Sequence, residues 1–272
     1  MTETKMNPIS AMTRAEANGI KFVLMDIDDT ITLGGKLLAS SYTALWKLHD
    51  AGITVIPVTG RPAAWCSLIA RQWPVDAVIG ENGALVFWEE RDDAALNLTG
   101  GKPHLKTFFH PNAVRNDSPI LTKIKERCFD EVPGIRLAND QFARMFDIAL
   151  DFAEEDPVLS LSAAEKVQKI ALEEGAQAKI SSIHVNVWLG NYDKVTMAEL
   201  LLQRLSGKLI EVLFVGDSPN DEPMFRRFPL ACAVANINKY SAYITHLPAF
   251  VATRECADGF AEITDTLLAL RA

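Results

Sequence analysis

Three short apolar runs, each ending at a polar cluster, constrain this chain most. Phe22-Val23-Leu24-Met25 stops at Asp26-Ile27-Asp28-Asp29-Thr30. Ile53-Thr54-Val55-Ile56-Pro57-Val58 stops at Thr59-Gly60-Arg61-Pro62, and Glu211 to Val215 stops at Gly216-Asp217-Ser218-Pro219-Asn220-Asp221. A short apolar run with polar bounds reads as a buried strand. Between the first two runs, Leu45, Trp46 and Leu48 lie at helical spacing. Ser40 or Ser41 is placed to cap that helix and Gly52 to stop it. Strand, helix and strand in this rhythm form a βαβ unit, with parallel pairing and a right-handed crossover. Ligands of open α/β sheets gather beyond the carboxyl ends of the strands, so the polar clusters fall where a site belongs.

The same reading extends along the chain. Pro62 suits the first turn of a helix reaching about Gln72. A third strand, Ala77 to Ile79, runs into Gly80-Glu81-Asn82-Gly83, followed by strand-like Ala84 to Trp88. The alternation then lapses. Glu89 to Gly101 is polar and turn-rich, and within the next stretch Phe142 to Phe152 and Ser182 to Trp188 read as strands. Helices are expected near Ser118–Phe129 and Ala163–Glu174, giving an α+β insertion whose sheet is open on one face. Regular patterning resumes with a helix from Lys194 to Leu205 and the Glu211–Val215 strand. A helix through Met224-Phe225, strands at Leu230–Val234 and Ala249–Ala252, and a final helix from Phe260 to Leu270 complete it. The expected organisation is an N-terminal extension over 1–18, an α/β core over 19–87 and 191–272, and an inserted domain over 88–190.

Composition excludes several classes. Among 272 residues, 49% are hydrophobic and 23% charged, which fits a globular protein and not a disordered one. A net charge of −8 argues against nucleic acid or an anionic membrane as partner, while leaving room for a local basic pocket. Cys66, Cys128, Cys232 and Cys256 form no CxxC pair, and the histidines make no HExxH pattern. The thiols read as free in a reducing compartment, with no zinc site. No apolar run approaches the ~20 residues of a membrane span, and Met1 to Asn18 lacks the apolar core of a signal peptide. A cytoplasmic protein, monomeric or a small homo-oligomer, is expected.

The strand ends carry complementary chemistry. Asp26 and Asp28, spaced i and i+2, point the same way in an extended segment, so one can attack while the other moves a proton or binds metal. Clustered carboxylates repel: at an effective dielectric of about 20, two charges ~4 Å apart interact with roughly 4 kcal/mol. A cation relieves that, and hard oxygen ligands favour Mg²⁺. Thr59 and the Gly60 backbone are neutral donors for a phosphate oxygen. Asp217 and Asp221 flank a turn, and Lys194 opens a helix with a compact positive charge.

These residues resemble the haloacid dehalogenase superfamily of phosphohydrolases. Asp26-Ile27-Asp28-Asp29-Thr30 looks like its first motif, DxDxT; Thr59 in Val58-Thr59-Gly60-Arg61-Pro62 looks like the second. Lys194 in Gly190-Asn191-Tyr192-Asp193-Lys194 looks like the third, and Gly216-Asp217-Ser218-Pro219-Asn220-Asp221 like the fourth, GDxxND. All occur in family order. The insertion between the second and third motifs resembles subfamily IIB, with its type C2B cap, which includes the Cof-like sugar phosphatases, sucrose-phosphate phosphatase and mannosyl-3-phosphoglycerate phosphatase. The resemblance implies a Rossmann-like parallel-sheet core with an inserted α+β cap.

It also implies roles. Asp26 would attack phosphorus, forming an aspartyl-phosphate. Asp28 would protonate the leaving alkoxide and then activate water. Asp26, the Asp28 main-chain carbonyl and Asp217 would hold Mg²⁺. Thr59, Gly60, Lys194 and Asn220 would hold the phosphoryl oxygens, with Asp221 orienting Lys194 or a metal-bound water. The substrate expected is a small phosphate ester, such as a sugar phosphate or phosphorylated glyceroside. His184, Asn186 and Trp188 share one face of a cap strand. With Arg61, Asn82 and Arg144, His184 and Asn186 are candidate substrate contacts, and Arg144 suits a second acidic group. A half-exposed sheet surface for the former and a turn role for Asn82 remain open. A sugar phosphomutase shares this core, and a phospho-accepting signalling domain shares the acid set but not the chain length.

Overall fold

The computed structural model describes residues 6–91, 103–181 and 183–271. At its centre lies a six-stranded, wholly parallel sheet. The spatial order is Asn7–Pro8, Phe250–Val251, Leu230–Ala233, Val212–Gly216, Phe22–Met25 and Thr54–Pro57. The middle strands are apolar throughout because helices cover both faces, and Phe22–Met25 and Val212–Gly216 are buried at every position. One apolar cluster, with Val23, Met25, Leu45, Leu48 and Phe260, fills one side of the sheet. Another, with Leu24, Phe214, Met197 and Phe228, fills the other.

A parallel bridge from Val58 to Ile79 links this sheet to an antiparallel one of Val78–Gly80, Leu85–Arg91 and Pro103–Phe109. A second antiparallel sheet follows, ordered Gln177–Ile180, His184–Trp188, Asp147–Asp151 and Arg136–Leu137. The helices Pro119–Glu131 and Leu161–Glu173 bury Leu121, Ile124, Val167 and Ile170 against its Ile148, Leu150, Val185 and Val187. The period of two puts His184, Asn186 and Lys179 on the opposite face. There they line a cleft shared with the carboxyl ends of the core strands. Residues 92–101 of the expected polar stretch and the first residue of the expected Ser182–Trp188 strand lie outside the described residues.

Several local expectations are corrected. Within the expected N-terminal extension, Asn7–Pro8 adds a strand to the sheet, and the helix Arg14–Gly19 starts at a Thr13–Glu16 capping box. Ser40 and Ser41 do not cap the next helix, which starts at Ala39 with no side-chain cap; Ser41 is buried and donates to the Ala257 carbonyl. Gly52 does end it, at φ +71°. The expected Phe142–Phe152 strand begins only at Asp147, because Gln141–Ala143 forms a 3-10 turn. The Gln141 amide donates to the Asp147 carbonyl and accepts from the Ala149 N–H, replacing the backbone a longer strand would supply.

Candidate active site

The Phe22–Met25 strand stops at Met25, and one more sheet bond, Asp26 N–H to the Val215 carbonyl, fixes Asp26 at its end. Asp26 and Asp28 are therefore loop residues, not i and i+2 of a strand, yet both line the cleft. Asp26 is 5% exposed and accepts from Lys194 Nζ at 2.6 Å. Lys194 sits in the first turn of the helix Lys194–Arg204, where the Asp193 capping box orients it, and also reaches Asp221 at 3.2 Å.

Asp217 follows the Val212–Gly216 strand. Its carboxylate accepts from Thr30 Oγ1 at 3.2 Å and from Asn236 Nδ2 at 2.9 Å, while its N–H donates to Asp221. Asn236 in turn accepts from the Cys256 N–H, tying this carboxylate to the last helix. Ligand oxygens of Asp26, Asp217 and Asp221 lie within 4.8 Å of one another.

Burial and charge set the titration. Desolvation pushes Asp26 up to about 7, opposed by Lys194 and reinforced by Asp221 and Asp28. Desolvation and the neighbouring Asp221 and Asp26 push Asp217 up to about 9. Burial alone would lower Lys194, but Asp221 and Asp26 outweigh it and hold the ammonium above the ordinary lysine range. Three buried carboxylates around one ammonium leave excess negative charge that a small divalent cation would relieve. The all-oxygen donor set fits Mg²⁺. The Asp28 side chain is outside this cluster, in keeping with the expectation that its main-chain carbonyl and not its carboxylate is the ligand: the carboxylate takes three contacts from Arg61, the shortest 2.7 Å. Asp221, expected only in support, is inside it.

The second strand end contributes a tight loop. Thr59 is fully buried and its Oγ1 accepts the Arg61 N–H, while Gly60 and Arg61 line the cleft. Asn220 lines it too, its Oδ1 accepting from Ser218. The cleft has a volume of about 690 Å³.

The cap residues singled out in the sequence are present but engaged. Arg144, its side chain 1% exposed, is committed to Asp147, Asp140 and the Gly60 carbonyl, so it ties cap to core instead of offering a free guanidinium. His184 pairs with Glu154 at 2.7 Å and Asn186 donates to Asp147. Trp188 is buried, its Nε1–H donating to the Tyr192 carbonyl.

Glu81, Asn236 and Lys179 belong to the site's surroundings without having been singled out. Glu81 is wholly buried and its carboxylate accepts the N–H groups of Ala63, Met145, Phe146 and Asp147. Its neighbours Gly80 and Asn82 marked a turn, but only three dimensions bring the cap backbone to it. Lys179 lines the cleft with no ion-pair partner among the described residues. No helix among the described residues is long and apolar enough to cross a membrane, and all of the cysteines are free and buried.

Known proteins share both sequence and fold with this chain. A Pyrobaculum aerophilum phosphoglycolate phosphatase is 27% identical over 207 residues, covering 75% of this chain and 78% of the relative. A crystal structure of a Thermoplasma acidophilum protein superposes with a TM-score of 0.71 at 19% identity, covering 92% of this chain and 98% of that one. Sucrose-phosphatase from a Synechocystis species, solved with sucrose and phosphate, matches at 0.59 and 15% identity, over 92% and 97%. The model for haloacid dehalogenase-like hydrolases matches residues 23–99 and 134–262, both sides of the insertion and all the strand ends described above. With its parallel core, inserted sheet and strand-end acids, the chain belongs to the haloacid dehalogenase-like hydrolase family.

Proposed function

We propose that the protein is a Mg²⁺-dependent phosphomonoester hydrolase for a small phosphorylated metabolite, with Asp26 as nucleophile. The observation that carries this reading is the Lys194 ammonium between Asp26 and Asp221, with Asp26 and the clustered Asp217 lining the cleft. Lys194 holds the Asp26 carboxylate in one orientation and supplies positive charge where phosphoryl oxygens arrive. Attack by Asp26 on phosphorus forms an aspartyl-phosphate and releases an alkoxide. Asp28, the more exposed carboxylate, protonates that alkoxide and then takes the proton from the water that hydrolyses the intermediate. Arg61 holds Asp28 by its fork of N–H donors and keeps it over the site.

Asp26, Asp217 and Asp221 supply side-chain oxygens for Mg²⁺, to which the Asp28 carbonyl is a candidate addition. When bound, the ion screens repulsion between nucleophile and phosphate. The cap closes the cleft against water and provides the surface that selects the leaving group.

Phosphoglycolate is the first substrate to try, on the strength of the curated relative, and Lys179 is the cleft cation suited to its carboxylate. A cleft of about 690 Å³ also favours a larger ester, a sugar phosphate. The test is a phosphate-release screen over phosphoglycolate, phosphoglycerates, sugar phosphates and nucleotides, with and without Mg²⁺ and with Asp26→Asn as blank. Steady release that EDTA removes and Asp26→Asn lacks is expected. An isomerised sugar phosphate without free phosphate would make the enzyme a mutase, and Mg²⁺-independent release would remove the metal from the account.

A further inference from the structure

Asn82 occupies a turn in which three successive residues have positive φ: Glu81 at +45°, Asn82 at +55° and Gly83 at +106°. Such backbone persists only where its surroundings over-determine it, and it concentrates at functional sites. Here every side is held. The Glu81 carboxylate collects four N–H groups from core and cap. The Asn82 N–H donates to the Thr59 carbonyl at 3.1 Å. Gly83 lies so close to the next helix that a Cβ there would meet the Asp193 carbonyl oxygen at 2.1 Å.

All this fixes a side chain that has no hydrogen bond among the described residues. Asn82 is 9% exposed and its Nδ2 is buried without an acceptor among the described residues. Buried donors are normally satisfied. The amide lies against the phosphate loop, since a Cβ on Gly60 would come within 3.1 Å of its Oδ1. It lines the main cleft, and a recess of about 70 Å³ that Lys194 and Asn220 also line. A donor held rigid and unpaired beside Gly60 and Lys194 is suited to an anionic oxygen.

We infer that Asn82 Nδ2 donates to a non-bridging oxygen of the phosphoryl group transferred to Asp26, an inference that rests on the phosphatase reading. The amide then gains its missing acceptor only when the phosphoryl group is present. Such a preorganised donor acts without reorganising during the reaction.

The experiment compares wild type, Asn82→Gly and Asn82→Asp, with urea denaturation as the check on folding. Glycine fits φ +55° without strain, and aspartate keeps the shape while removing the donor. The readouts are kcat and KM for the best ester of the screen, and the inhibition constant of inorganic phosphate. Loss of one such donor is expected to lower kcat about 100-fold and to weaken phosphate inhibition in both variants, more in Asn82→Asp. Wild-type kcat and phosphate inhibition in a folded Asn82→Gly would overturn the inference while leaving the phosphatase reading intact. If wild type hydrolyses no ester and inorganic phosphate does not bind it, both fall together.

Discussion

Replacing Gly83 by alanine tests how tightly the site is assembled. The residue has φ +106°, and an added Cβ would lie 2.1 Å from the Asp193 carbonyl oxygen and 2.5 Å from its carbon. Gly52 is the control: it has φ +71°, and its Cβ would meet nothing within 4 Å. Left-handed backbone costs an L-residue roughly 1–2 kcal/mol. Both variants carry this. Overpacking adds about 1–3 kcal/mol, and Gly83→Ala belongs at the upper end because its obstacle is backbone. The expected loss in urea denaturation is therefore about 3–5 kcal/mol for Gly83→Ala and about 1–2 kcal/mol for Gly52→Ala. Activity should separate them further. The Asp193 backbone must move to admit a methyl group, and Lys194 follows it. Misplacing a catalytic group by about 1 Å can cost about 100-fold in rate, so Gly83→Ala should lose activity while Gly52→Ala keeps it. Equal stabilities and equal rates would refute the close approach of turn and helix.

Other outcomes follow from the same geometry. Lys194→Met strands Asp26 and Asp221 in a buried site; breaking such a pair costs about 3–5 kcal/mol, and in the absence of Mg²⁺ the variant's denaturation midpoint should fall accordingly. In EDTA, wild-type stability should decline relative to Asp217→Asn as pH rises. The sign follows from Asp217, pushed up to about 9 when folded and near 3.9 when unfolded: between these values only the unfolded state ionises, so rising pH favours unfolding. Parallel pH–stability curves for the two proteins would contradict this. Lys179→Met should raise KM for phosphoglycolate about fivefold, the loss of one exposed charge contact of roughly 1 kcal/mol, and leave KM for an ester with an uncharged leaving group unchanged; an equal effect on both would remove Lys179 from leaving-group recognition.

The core was readable because its strands are apolar on both faces, and their ends are marked by residues that neither helix nor strand needs. Asp26, Lys194, Asp217 and Asp221 carry that signal, and folding brings them together across roughly 190 positions. The cap's open face was readable from alternation at His184, Asn186 and Trp188. What those residues touch was not. His184 is spent on Glu154, Asn186 on Asp147, and Arg144 on Asp147, Asp140 and the Gly60 carbonyl. A single polar residue in a sequence does not disclose whether the protein or a ligand satisfies it. Glu81 was invisible for the opposite reason: its partners are backbone N–H groups, which leave no trace in side-chain pattern. Asn236 steadies Asp217 from a 3-10 turn with no periodicity, and Gln141 replaced backbone that was expected to be strand.

The central claim is that Asp26 carries the phosphoryl group. Wild-type protein with Mg²⁺ and the best ester of the screen, quenched in acid during turnover and reduced with borohydride, should yield homoserine at position 26 by peptide mass spectrometry. The Asp26→Asn protein should yield none. Reduction at another carboxylate, or full phosphate release with position 26 unmodified at every quench time, would contradict the account.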